Sequence, residues 1–163
     1  MQATHATSDK NMAVDRIGEI RIQGAYAWRK LIDAGALIAN GSDFPVESPN
    51  PFFGLHAAIT RQDKNNQPPG GWFPEEKMTT IEAFASFTID AAYSGHQEKL
   101  LGTLEPGKKA DFIILDRDMF AIDESESEQG QVLLIGGNNG RFYCPAVHKV
   151  DLATGVCTPQ PSL

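Results

Sequence analysis

Residues Ala36-Leu37-Ile38-Ala39-Asn40-Gly41-Ser42-Asp43-Phe44-Pro45-Val46-Glu47 decide how this chain is read. Four apolar residues lead through Asn40 into the small pair Gly41-Ser42, then to Asp43 and Phe44-Pro45. The run is too short for a helix and is bounded by turn formers, which predicts a short buried strand. Pro45 lacks an N–H and pushes Phe44 out of the α region, so strand pairing should stop there. Asp43 is then expected at the C-terminal end of a buried strand. In a parallel α/β fold that is where chemistry is placed. A carboxylate at such a point can ligate a metal or serve as a base. Equally, an Asp in this setting can simply cap a turn. The spacing alone leaves both readings open.

Outward from this stretch the pattern alternates helix and strand. Ile17, Ile20, Ala25, Trp28, Leu31 and Ile32 recur at helical steps, which predicts a helix over 15–35. Gly18 and Gly24 each cost it roughly 1 kcal/mol, so a break near Gly24 is expected, and Gly35 suits the C-terminal cap. Met1 to Val14 is polar and reads as a loop. Asn50 before Pro51 is a helix start, with the helix running to about Gln62. His56 lies mid-helix without a metal-type partner four residues away and reads as a surface or packing residue. Asp63 to Pro74 is a long loop in which Trp72 and Phe73 either cover an apolar substrate or staple the loop to the body. Thr79-Thr80-Ile81-Glu82 is a capping box opening a helix to about Tyr93, with Ile81, Phe84, Ala85, Thr88, Ala91 and Ala92 as its apolar face. Glu105-Pro106-Gly107 signals a type II turn, and Phe112-Ile113-Ile114-Leu115 a buried strand. Asp116-Arg117-Asp118 starts like a calcium loop but lacks the later ligands and glycine. Asp123 to Glu128 is an acidic run expected to be a solvated loop. Val132 to Gly137 begins another strand.

The chain has 163 residues, enough for one core. With 41% apolar and 21% charged residues, it belongs with folded rather than disordered chains. A net charge of −7 argues against a nucleic-acid groove, which needs a basic face. No apolar run approaches the ~20 residues that span a bilayer, and the first ten residues lack the apolar core of a signal peptide. A cytoplasmic location is therefore expected. Cys144 and Cys157 stand in no metal-binding spacing. They are expected to be free thiols in a reducing compartment, with a disulfide between them as the alternative.

Several blocks, in order, resemble the amidohydrolase superfamily, in particular the metal-dependent branch that contains N-substituted formamide deformylases. They are Gln2-Ala3-Thr4-His5-Ala6-Thr7-Ser8-Asp9, Gly24 to Arg29, Gly41 to Glu47 with Asn50-Pro51, Thr60-Arg61-Gln62-Asp63, and Leu101 to Phe112. The resemblance covers about residues 1–120 and fails from about 122 onward. It implies an α/β architecture: the C-terminal part of a (β/α)₈ TIM barrel over 1–98, then part of a small β-sandwich over 99–163. A whole barrel needs about 200 residues or more, so this chain is expected to hold only the end of one, beginning inside its seventh strand.

The resemblance further implies a divalent metal, most often zinc, that activates water to hydrolyse an amide-like, non-peptide C–N bond. Asp43 matches the family's catalytic and metal-binding carboxylate. His5, Phe44 and Trp72 are the expected substrate contacts. A His in the position of His5 lies at the mouth of the site, although a solvated loop histidine is the plainer reading. The family's His-x-His is absent, and a catalytic zinc wants three protein ligands. The isolated chain is thus expected to be inactive alone. The expected partner is a small amide-like molecule, not nucleic acid or membrane, with self-association or a missing N-terminal part to complete the fold. The alternative is a non-catalytic binding or assembly module that uses open barrel edges.

Overall fold

Helix α4, Pro51–Thr60, is the centre of the packing. The computed structural model describes residues 1–129, 132–136, 148–151 and 156–159. Asn50 caps α4 through its side chain, which accepts from the Phe52 N–H at 3.0 Å, and Pro51 takes the first turn as expected. Phe52, Leu55, Ala57, Ala58 and Ile59 are buried. Each of the three larger side chains contributes about 1.5–3 kcal/mol of apolar burial. They join Ala3, Ala6, Trp28, Ile38, Met78, Ala83 and Met119 in one core. Gly54 permits the close approach of the following helix: a Cβ there would lie 2.5 Å from the Phe87 ring.

The N-terminal segment corrects the first expectation. Residues 1–14 are not a loop, because α1, His5–Ser8, and α2, Lys10–Arg21, occupy most of them. The predicted helix over 15–35 is instead the end of α2, a 3₁₀ turn at Ile22–Gly24 and α3, Trp28–Asp33. The break at Gly24 is as expected. Gly18, with φ +76°, kinks α2, and no residue of α2 is buried. Ile20 is 87% exposed, so the expected apolar stripe is not a core face there. After α3 the Gly35 N–H donates to Ile32 O (2.8 Å) and the Ala36 N–H to Leu31 O (3.0 Å), with Gly35 at φ +86°. This is a Schellman cap and the cap predicted for Gly35.

The predicted strand at 36–39 is a second correction. The backbone there carries no regular strand. Its pairing is limited to one residue: the Met1 amino group donates to Ala39 O, and the Gly41 N–H donates to Met1 O at 3.0 Å. The two bonds flank Asn40 in the manner of a parallel pair. Leu37 is 63% exposed while Ile38 is buried. A strand needs neighbours to satisfy its backbone, and this segment has one residue's worth.

The capping box forms as expected. Thr79 N–H donates to Glu82 Oε2 at 2.8 Å, and Thr79 Oγ1 accepts from the Glu82 N–H at 3.3 Å. The helix after it is two helices, α5, Thr80–Phe87, and α6, Ile89–Ser94, broken at Thr88. Gly102, at φ +93°, explains the tight contact beside the break: a Cβ would lie 2.9 Å from Ile89 Cα. The buried face is Ala83, Ser86 and Ala92, whereas Ile81 is exposed. The 105–108 turn forms, with Gly107 at φ +93° and the Lys108 N–H on Glu105 O at 3.1 Å.

Four strands follow: β1, Phe112–Leu115; β2, Val132–Gly136; β3, His148–Asp151; and β4, Val156–Pro159. They form one antiparallel sheet in sequence order, with Ile113 opposite Ile135 and Val150 opposite Cys157. This single meander is what the structure describes of the expected β-sandwich. β1 is a strand, as expected, but Phe112, Ile113 and Ile114 are exposed rather than buried. The acidic run is a 3₁₀ helix, Glu124–Gln129, docked on α4 rather than a free loop. The Cys144–Cys157 question lies outside the described residues.

Candidate active site

Two short segments meet at the surface. α1 carries His5 and Ser8, and the turn after Gly41 carries Asp43 and Glu47. Asn40 fixes their approach. Its Oδ1 accepts from the Ala3 N–H at 3.1 Å and from the Gly41 N–H at 3.0 Å, while its own N–H donates to Ser86 O at 2.8 Å. The side chain thus ties Ala3, just ahead of α1, to Gly41, just ahead of Asp43, and the backbone N–H anchors both to α5.

Asp43 sits in the left-handed region at φ +59°, a conformation that Asp tolerates better than most residues. Its carbonyl accepts from the Val46 N–H at 2.8 Å, which closes a turn containing the cis Phe44–Pro45 peptide. The carboxylate is turned towards α1. His5 Nε2 lies 3.5 Å from Asp43 Oδ2, with the two side chains 24% and 47% exposed. The contact is close but not a formed hydrogen bond, and His5 Nε2 is a buried polar atom without a hydrogen-bond partner among the described residues. One helical turn further, Ser8 Oγ donates to Glu47 Oε1 at 2.6 Å. The pair of contacts holds α1 alongside the turn.

The structure therefore brings together His5 and Asp43, two of the four residues singled out in the sequence. Phe44 is 65% exposed beside them. Trp72 is employed elsewhere. Its ring packs edge-on to Tyr26 at 5.6 Å and to Phe73 at 4.9 Å, and the Arg61 guanidinium lies 5.3 Å from its centroid. This is the stapling arrangement. Arg61 is fully buried, 4.3 Å from the Trp28 ring centroid, and donates to Trp72 O at 2.8 Å and Tyr26 O at 3.1 Å. Burial pushes its pKa down to about 10, against the raising effect of Glu76 and Glu75. It remains a cation at neutral pH. The sequence reading missed Asn40 and Arg61. Asn40 stood inside the decisive stretch, and Arg61 followed the α4 apolar run, but neither pattern reveals a tertiary partner.

His5 and Asp43 are metal-ligand types. A catalytic zinc takes three protein ligands, and among the described residues no group of three or more His, Cys, Asp or Glu could hold an ion. The described pair does not by itself fit a metal. What it can do alone is move a proton: a half-exposed carboxylate beside an imidazole accepts one from a bound water and returns it to a departing amine.

A family model, described as the amidohydrolase family, matches residues 1–138. The chain belongs to this family. The curated relative named "Putative amidohydrolase YtcJ", of Bacillus subtilis, is 34% identical over 126 residues, covering 77% of this chain and 24% of the relative. N-substituted formamide deformylase of Arthrobacter pascens is 30% identical over 105 residues, covering 64% and 19% respectively. Among solved structures, an uncharacterized metal-dependent hydrolase from Pyrococcus horikoshii matches with TM-score 0.66 and 28% identity, over 76% of this chain and 25% of that one. The chain spans about a quarter or less of the length of these amidohydrolase relatives. Among the described residues, no helix is long and apolar enough to cross a membrane.

Proposed function

We propose that these residues supply the carboxylate end of a metal-dependent hydrolase acting on a small-molecule amide-like C–N bond in the cytoplasm. The observation that carries the proposal is His5 Nε2 held 3.5 Å from the half-exposed Asp43 carboxylate by two separate anchors, Asn40 and the Ser8–Glu47 bond. Asp43 takes the proton of the attacking water and delivers it to the nitrogen as the C–N bond breaks. His5 orients the carboxylate, and Phe44 offers an apolar contact to the substrate. The divalent ion of this reading, zinc, would need donors beyond this pair. The parallel pairing of Met1 with Asn40 supports the end of a (β/α)₈ barrel as the setting, where adjacent parallel strands carry the site at their C-terminal ends.

The test has two parts. Elemental mass spectrometry of the purified 163-residue chain after growth with zinc should give a value near zero. One metal per chain would refute the two-ligand count. Release of acid from a panel of N-substituted formamides should depend on added divalent metal in the full-length polypeptide carrying these residues, and should fall by about 10³-fold in Asp43→Asn. Turnover undiminished by this substitution would end the reading.

A second reading, a non-catalytic assembly module, is favoured by the exposed apolar residues Phe112, Ile113 and Ile114 on β1 at the edge of the sheet. Sedimentation analysis showing concentration-dependent assembly would support it. A monomer at all concentrations would not.

A further inference from the structure

A polar cavity of about 300 Å³ lies between α1, the Glu47-Ser48 segment and the Asp63–Asn65 turn. Its volume is at the lower end of ligand pockets. Thr4 is 9% exposed and lines it, and the Thr4 hydroxyl is buried with no hydrogen-bond partner. A buried hydroxyl left unpaired is costly, so such an atom calls for a partner that the protein does not supply. Phe53 provides an apolar wall.

The charges around the cavity decide what would fit. Asp63 is fully engaged: Oδ2 pairs with Lys10 Nζ at 2.9 Å, and Oδ1 accepts from the Asn65 N–H at 2.9 Å and the Gln67 N–H at 3.1 Å. Glu47 uses one oxygen, Oε1, on Ser8. Lys64 lines the cavity, and among the described residues no ion pair or hydrogen bond engages its ammonium. One carboxylate residue and one lysine with capacity to spare therefore line the cavity. Their charges cancel, which disfavours either an anion or a cation. The unpaired Thr4 hydroxyl and the second Glu47 oxygen are acceptors, and Lys64 is a donor.

We propose that this cavity is a subsite for an uncharged substituent bearing both donors and acceptors, such as a carboxamide, on the substrate whose C–N bond lies at His5–Asp43. The two places share α1 and the 43–47 turn, about one helical turn of roughly 5 Å apart. The inference rests on the reading of Asp43 as the reacting carboxylate.

The test is binding, followed by NMR on the full chain, of four formamides that differ only at the tip. N-formyl-β-alaninamide carries the carboxamide, N-formyl-β-alanine the carboxylate, N-(3-aminopropyl)formamide the ammonium, and N-butylformamide an apolar end. The carboxamide should bind at least tenfold more tightly than the other three and shift the amide signals of Thr4, Glu47 and Lys64. Thr4→Val should narrow its advantage over N-butylformamide to about twofold. Lys64→Gln, at an exposed position that folding tolerates, should do the same. Affinities within twofold of one another, no binding, or shifts confined to other residues would overturn the subsite. Hydrolysis without tip discrimination would overturn the subsite and leave the reaction standing. Tip-selective binding without hydrolysis of any of the four by the full-length polypeptide supplied with divalent metal would do the reverse.

Discussion

Two histidines of this chain face oxygen-bearing side chains, and they are built to opposite ends. His56 is 1% exposed. Its Nδ1 lies 2.9 Å from Ser127 Oγ and its Nε2 lies 3.2 Å from Asp63 O. Facing a carbonyl, Nε2 must carry a proton, so in the neutral ring Nδ1 accepts from Ser127. Both nitrogens are used, and the ring fastens the Glu124–Gln129 turn to α4. His5, by contrast, is part-exposed, with Nε2 near Asp43 but not bonded to it. One imidazole has all its partners and no freedom. The other has a ring nitrogen with capacity to spare beside a half-exposed carboxylate. Structural polar groups are satisfied in the folded state, whereas reacting ones keep something to offer.

The contrast breaks most easily at Asp43. Asp43→Asn should lower kcat/KM of amide hydrolysis by about 10³-fold, in the range of a lost proton-transfer group, and change stability by less than about 0.5 kcal/mol. Paired steady-state kinetics and urea melts would show it. A large loss of stability would mean that Asp43 is a turn cap after all. His56→Ala should do the opposite. It removes a buried ring and strands Ser127 Oγ and Asp63 O, so about 3 kcal/mol should be lost in urea unfolding. If the melts of the two variants were interchangeable, the division between them would fail.

What was legible in the sequence was what is local. The Asn50 cap with Pro51, the Thr79–Glu82 box, the Gly35 Schellman cap and the Gly107 turn each depend on residues within five of one another. Asp43 and His5 were legible through the block pattern, and their meeting was implied by it. The failures are tertiary. Residues 36–39 have strand composition, but strand state needs neighbours, and among the described residues the pairing here is Met1 with Asn40. Ile20 and Ile81 sit at helical spacing yet point to water, because nothing in the described residues covers them. His56 looked idle because Ser127 lies 71 residues away. The acidic composition of 123–128 suggested solvent, but only one serine among those residues had to turn inward for the segment to dock.

A smaller effect separates surface electrostatics from both histidines. Arg29 grips Glu82 through both carboxylate oxygens, at 2.9 Å and 2.5 Å, and this pairing holds the Glu82 carboxyl down to about 2 from an ordinary 4.5. A carboxyl depressed in the folded state stabilises fully above its unfolded pKa. That contribution falls as pH drops from 4.5 towards 2. The pair is near the surface, so solvent screening reduces the full shift to about 1–2 kcal/mol. Arg29→Gln should flatten this part of the acid-unfolding profile. An unchanged profile would show that the pair adds nothing to stability.

Ser127→Ala should give the smallest effect and the sharpest reading of the buried pair. The hydroxyl serves two partners, His56 Nδ1 and Glu124 O at 2.7 Å, but has one proton to give. Removing it costs one net hydrogen bond, about 1 kcal/mol, with no change in hydrolysis. The informative quantity is the coupling with His56→Ala in a double-mutant cycle. A coupling near the full 1 kcal/mol means that the serine proton goes to the imidazole and that His56 is neutral with its Nε2 proton on Asp63 O. A coupling near zero means that the proton goes to Glu124.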